Sequence, residues 1–193
     1  MANIGMQFKD VFHRKLGEVD AGNNLKEAAL LRDMGGWTMA LTNLLADTCS
    51  ELGWSVGAKW NACDVLPESR KEYFTLDVCA FEGERTGWQF PIAAMELENM
   101  VYKRKIAYCL WKLLAVSSKF RCLFCYCEQH YQRDALLDYL KTELVESLSI
   151  EERDQVQGDT YLCVGTRDDA DYFPHGFFRW WKLNLNTSRF EVL

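Results

Sequence analysis

Apolar side chains fall at positions 37, 41, 44, 45, 48/49 and 52, the spacing of one face of an α-helix. Gly53 follows, well placed to end that helix, and Gly35-Gly36 precedes it as an expected break. Residues 54–60 alternate as a strand, and 61–70 read as a loop around Pro67. Residues 73–81 are dense in strand formers, 82–87 read as a hairpin connection, and 88–98 as a second strand with Pro91 near its start. A strong helix is expected over 100–116, a strand over the apolar run 120–127, and a long amphipathic helix over 129–148. Residues 160–166 read as a strand, and 177–185 with 188–193 as a closing hairpin. Two short helices, 8–16 and 25–33, precede all of this.

The order is helix, three strands in meander, helix, strand, helix, strands. Hairpins make antiparallel pairs and a strand–helix–strand crossover makes a parallel one. The expected product is an α/β domain with a mixed central sheet flanked by helices. One domain over 1–193 suits the length, with a core at about 37–166, helical additions in 1–34 and strand additions in 177–193.

Composition changes this picture little. Hydrophobic residues make up 49% and charged residues 26%, ordinary values for a globular chain. No apolar run approaches the roughly 18 residues of a membrane span, and residues 1–9 lack the layout of a signal peptide. The expected setting is intracellular and cytoplasmic, with no membrane partner. The eight cysteines then read as buried reduced thiols. Strand alternation sets Cys122 opposite Cys125 and Cys127, which favours a buried strand over a zinc site with His130. The aromatic group Phe173, Phe177, Phe178, Trp180 and Trp181 reads as core or interface before it reads as a base-stacking surface. A net charge of −6 argues against a broadly basic nucleic-acid binder, although Lys103-Arg104-Lys105 is a local strip that could touch phosphate.

The candidate chemistry lies on the strand pair 73–98. Glu96 and Glu98 are two apart on a strand, so they share a face, with Cβ atoms roughly 7 Å apart. Asp77 lies in the preceding strand, and pairing would bring three carboxylates to one spot. Such crowding in apolar strands is costly. A divalent cation, Mg²⁺ or Mn²⁺, offsets that cost, because both take oxygen ligands. Asn99 stands where strand gives way to helix, a good N-cap position. Lys103 begins the stripe continued by Ile106/Ala107, Leu110 and Leu113/Leu114, and from there could reach the carboxylates; Lys105 points further outward, towards solvent or phosphate.

This pattern resembles the PD-(D/E)XK nuclease superfamily over roughly residues 37–148. Asp77 matches the superfamily's Asp, and Glu96-Leu97-Glu98 matches its tripeptide, with Glu98 in the usual lysine slot. The resemblance implies a restriction-endonuclease-like fold with an αβββαβ core. It implies divalent-metal-dependent hydrolysis of nucleic-acid phosphodiesters, DNA ahead of RNA. Asp77 and Glu96 would ligate metal, Glu98 would be a ligand or a base, and Lys103 would stand in as a lysine moved to the following helix. Glu51, or Asp47, would be the acid that many members place on the first helix. Cutting both strands of a duplex would call for a homodimer. The alternative is a catalytically inactive nuclease-fold module acting in protein interaction or regulation, suggested by Glu98 in the lysine slot, the acidic net charge and the C-terminal aromatics.

Overall fold

The computed structural model describes residues 3–193. Seven strands lie side by side in chain order: β1 Trp54–Ala58, β2 Val78–Glu82, β3 Ala93–Glu98, β4 Phe120–Cys127, β5 Asp159–Thr166, β6 Phe178–Asn184 and β7 Arg189–Val192. The β3–β4 and β4–β5 pairs are parallel and the other pairs antiparallel. The chain is thus α/β with a mixed sheet.

Two crossovers that step the same way across a sheet, each right-handed, leave their helices on the same face. Accordingly α4 Lys103–Leu114 and α5 Tyr131–Leu140 cover one face. The other face is covered by α1 Ile4–Leu16, α2 Val19–Leu31 and α3 Met34–Glu51. Every residue of β4 is buried, as expected of a central parallel strand covered on both sides. Its Phe120, Cys122, Phe124 and Tyr126 join the α1–α3 core, while Leu123, Cys125 and Cys127 join the α4–α5 core. All eight cysteines are buried and free. Phe173, Phe177, Phe178, Trp180 and Trp181 are core residues. Gly5 lets α1 lie against the sheet, since a Cβ there would stand 2.5 Å from the Tyr161 ring. Among the described residues no helix is long and apolar enough to cross a membrane.

Several boundaries depart from the sequence reading. Gly35-Gly36 does not break the chain; both lie in the first turn of α3, where Asp33 Oδ1 accepts their N–H groups at 3.1 and 3.0 Å. A side-chain cap of this kind overrides weak glycine propensity. Asp33→Ala is expected to cost about 1 kcal/mol and to lower the thermal midpoint by roughly 2–4 °C, read by circular dichroism. Strand 73–81 begins only at Val78, because Phe74 and Thr75 both take a φ of 56° and turn the chain. Strand 88–98 begins at Ala93, after a loop in which Gly87 has a φ of 101° and Trp88 and Phe90 are exposed. The helix expected over 129–148 is α5 followed by a π-turn, Lys141–Val145, which keeps Leu144 and Val145 buried.

Candidate active site

The register Val78↔Met95, carried one step further, sets Asp77 opposite Glu96. Strand alternation turns both towards the face that carries Cys79 and Ala94, which is the α4 side. Asp77 Oδ2 accepts the Leu97 N–H at 2.8 Å, which ties the carboxylate to β3 although Asp77 itself precedes β2. Burial holds the Asp77 carboxyl above the usual range, against the pull of that N–H and of Lys112.

Glu96 is only 4% exposed. Burial raises its pKa and the nearby Asp77 adds to the rise, while Lys112 opposes it. Lys112 Nζ stands 2.8 Å from Glu96 Oε1. Its directed hydrogen bond goes elsewhere, to the Thr75 carbonyl at 2.8 Å. The contact with Glu96 is therefore an ion pair by distance, and the buried Oε1 lacks a well-angled donor. The Lys112 pKa is raised: burial works against its charge, but Glu96 outweighs that.

Glu98 shares the face of Glu96 but is engaged locally. Its Oε1 accepts the Met100 N–H at 2.8 Å, and Cys109 Sγ lies 3.7 Å from Oε2. Burial, with Glu96 and Glu98 beside it, pushes the Cys109 thiol up to about 12. The Glu98–Met100 bond also turns the chain after β3, so α4 begins at Lys103 with Tyr102 as its N-cap residue, and not at Asn99.

The remaining expected residues lie elsewhere. Lys103 does point inward, but to α5: its Nζ donates to the Ala135 carbonyl at 2.8 Å and sits 5.7 Å from the centre of the Tyr139 ring. Lys105 Nζ lies 3.3 Å from Met100 Sδ at the surface. Asn99 donates to Thr38 Oγ1 at 2.6 Å, and its carbonyl accepts from Arg167 at 2.9 Å. Glu51 pairs with Arg14 and with Lys15 at the end of α3, and Asp47 is exposed. Asp77, Glu96 and Glu98 thus share the α4 face of the sheet, with Lys112 beside Glu96, while Lys103 lies against α5.

Lys112 was legible in principle. A helix rises 1.5 Å per residue and a strand about 3.3 Å. A crossover helix returning beside β3 starts beyond the strand's end, so it reaches the level of Glu96 only some turns in. Lys112 is nine residues, about 13 Å, past Lys103. Its spacing of three from Cys109 puts both on the flank facing the acids.

Two further features frame the cluster. Phe74 and Thr75, neither a glycine, are consecutive in the left-handed region, a costly conformation for Thr in particular. The Lys112–Thr75 bond clamps this turn, so one ammonium holds both the turn and Glu96. Among the described residues no three His, Cys, Asp or Glu side chains meet in a group that could hold a metal.

No known protein-family model matches the chain, and no curated protein matches it.

Proposed function

We propose that this protein is a divalent-metal-dependent nuclease of restriction-endonuclease-like architecture that hydrolyses DNA or RNA phosphodiesters. The observation that carries the reading is the convergence of Asp77, Glu96 and Lys112 at the end of the β2–β3 pair. The order α3–β1–β2–β3–α4–β4, with β3 and β4 parallel, agrees with the αβββαβ core of that superfamily.

Asp77 and Glu96 are the residues that would hold the cation. Mg²⁺ is commonly held by one or two carboxylates with waters completing its shell. Glu96 Oε1 faces Lys112 Nζ at 2.8 Å, and Asp77 spends Oδ2 on a backbone N–H while Oδ1 lies outside that bond. When bound, such an ion supplies an activated water and offsets charge on the phosphate. Lys112, already anchored to the Thr75 carbonyl, positions a phosphate oxygen or the attacking water. Glu98 orders the strand end and serves as a supporting residue.

The same geometry has a feature that favours a second reading, an inactive nuclease-fold module. Glu96 is already neutralised by Lys112, and the third carboxylate is engaged by its own backbone. One experiment separates the two: calorimetric titration with Mn²⁺ and cleavage of plasmid and single-stranded DNA, for the wild type and Asp77→Asn. An amide oxygen at 77 still accepts the Leu97 N–H, and a buried charge is removed, so the variant's thermal midpoint is expected to be unchanged or raised. Cleavage is expected to fall about 100-fold or more. No heat with Mn²⁺ and no cleavage by the wild type would leave only the inactive module standing.

A further inference from the structure

The outward face of α4 carries four side chains that the acidic cluster does not use: Arg104, Lys105, Tyr108 and Trp111. Steps of 100° per residue order them around the helix. Lys105 lies beside Lys112 on the flank next to the acids, Tyr108 points most directly outward, and Arg104 and Trp111 follow on the far side. The two rings are 59% and 49% exposed and belong to the same surface, with centroids 6.0 Å apart and planes at 31°. Other aromatics of the chain are exposed too, but Tyr108 and Trp111 lie side by side on one helix face.

The charge of this helix is unusual. The chain carries a net −6, yet α4 contains Lys103, Arg104, Lys105 and Lys112 and not one carboxylate. Three of these cations stand in the first turn, where the helix dipole is already positive and acidic residues are the stabilising choice. Among the described residues neither Arg104 nor Lys105 enters an ion pair. A local excess of positive charge beside exposed rings complements a strand of phosphates whose bases are free to stack. The turn on the other side of Lys112 presents Phe74, also exposed, one residue from the Thr75 carbonyl that Lys112 holds.

We infer that the outer face of α4 is a docking surface for single-stranded nucleic acid, with Tyr108 and Trp111 stacking bases and Arg104 and Lys105 holding phosphates. The strand runs from this face across Lys112 to the carboxylates. The inference deepens the nuclease reading and rests on it for the place where the strand ends. A duplex is the poorer occupant, because its bases already stack on one another and offer the rings no face.

Binding of a labelled oligothymidylate, followed by fluorescence anisotropy across a salt series, tests the inference. Duplex DNA and phosphatidylserine vesicles are titrated in parallel. Every substituted side chain is exposed, and circular dichroism checks that each variant is folded. The wild type is expected to bind the single strand more tightly than the duplex. Tyr108→Ala/Trp111→Ala is expected to weaken that binding about 10-fold or more. Arg104→Gln/Lys105→Gln is expected to reduce the slope of log K against log salt by about 1.4.

Failure of the wild type to bind the single strand, equal binding by the α4 variants, or preference for the vesicles would each overturn the inference. If the wild type binds, the α4 variants do not, and metal-loaded protein cleaves nothing, the docking surface stands and the nuclease reading falls. If cleavage occurs but the α4 variants bind and cleave like the wild type, the nuclease reading stands and the surface falls.

Discussion

Arg121→Met is expected to destabilise the fold by roughly 3–5 kcal/mol, because each buried acceptor left without a donor costs about 1–3 kcal/mol. Arg121 is 1% exposed, and it lies inside the most buried strand of the sheet. Its Nε donates to the Leu113 and Val116 carbonyls at 2.9 and 3.0 Å, Nη2 donates to Val116 again at 2.6 Å, and Nη1 donates to Gln157 at 2.6 Å. Burial lowers its pKa to about 10. No carboxylate pairs with it among the described residues, so its role is to satisfy carbonyls, above all at the C-terminal end of α4. Met keeps most of the volume, so loss of donors dominates and the cavity term stays small. Urea unfolding checks this; a change below about 1 kcal/mol would show that water replaces the guanidinium at little cost.

The second large effect concerns Lys112→Met. Removing one member of a buried pair leaves the other charge uncompensated, at a cost of about 3–5 kcal/mol. Glu96 would be that charge, and the Thr75 carbonyl would lose its donor as well. The loss carries a pH signature. Burial already holds the Glu96 carboxyl above its ordinary value of 4.5, and losing Lys112 raises it further. Folding then prefers the protonated carboxyl. The stability gained from that preference is present in full below about pH 4.5 and is lost as pH rises through the higher, folded value. The variant should therefore sit closest to the wild type in mild acid and furthest from it at neutral pH. Adding Glu96→Gln should restore much of the neutral-pH stability and flatten the pH dependence. Equal destabilisation at both pH values would mean that the Thr75 bond, and not the ion pair, was the important contact.

How far the sequence discloses all this varies with the kind of signal. β4 was legible to the residue, since a run of eight apolar-compatible positions between polar ends has one good solution in a parallel sheet. Arg121 inside that run carried no flag, because its partners are carbonyls brought up by the end of α4 and by the loop before β5. That Asp77 and Glu96 stand opposite one another on one face is legible because alternation and hairpin pairing are local rules. Lys103 lies away from the acids for a geometric reason. Lys103 does lie on the buried stripe, but α4 buries that end against α5 and meets Glu96 further along. Gly35-Gly36 reads as a break because low helix propensity belongs to the glycines themselves, whereas the Asp33 cap that overrides it takes shape only in the folded chain.

Strand order in this sheet equals chain order, and the candidate site lies entirely between Asp77 and Lys112. Its parts are joined by one hairpin and one crossover, with no contribution required from either terminus. Loop-closure entropy is small for such a unit, and contacts of short sequence separation form early. During synthesis the acids and their lysine can therefore meet before β5, β6 and β7 have emerged, and the later strands serve to bury the sheet around a site already assembled.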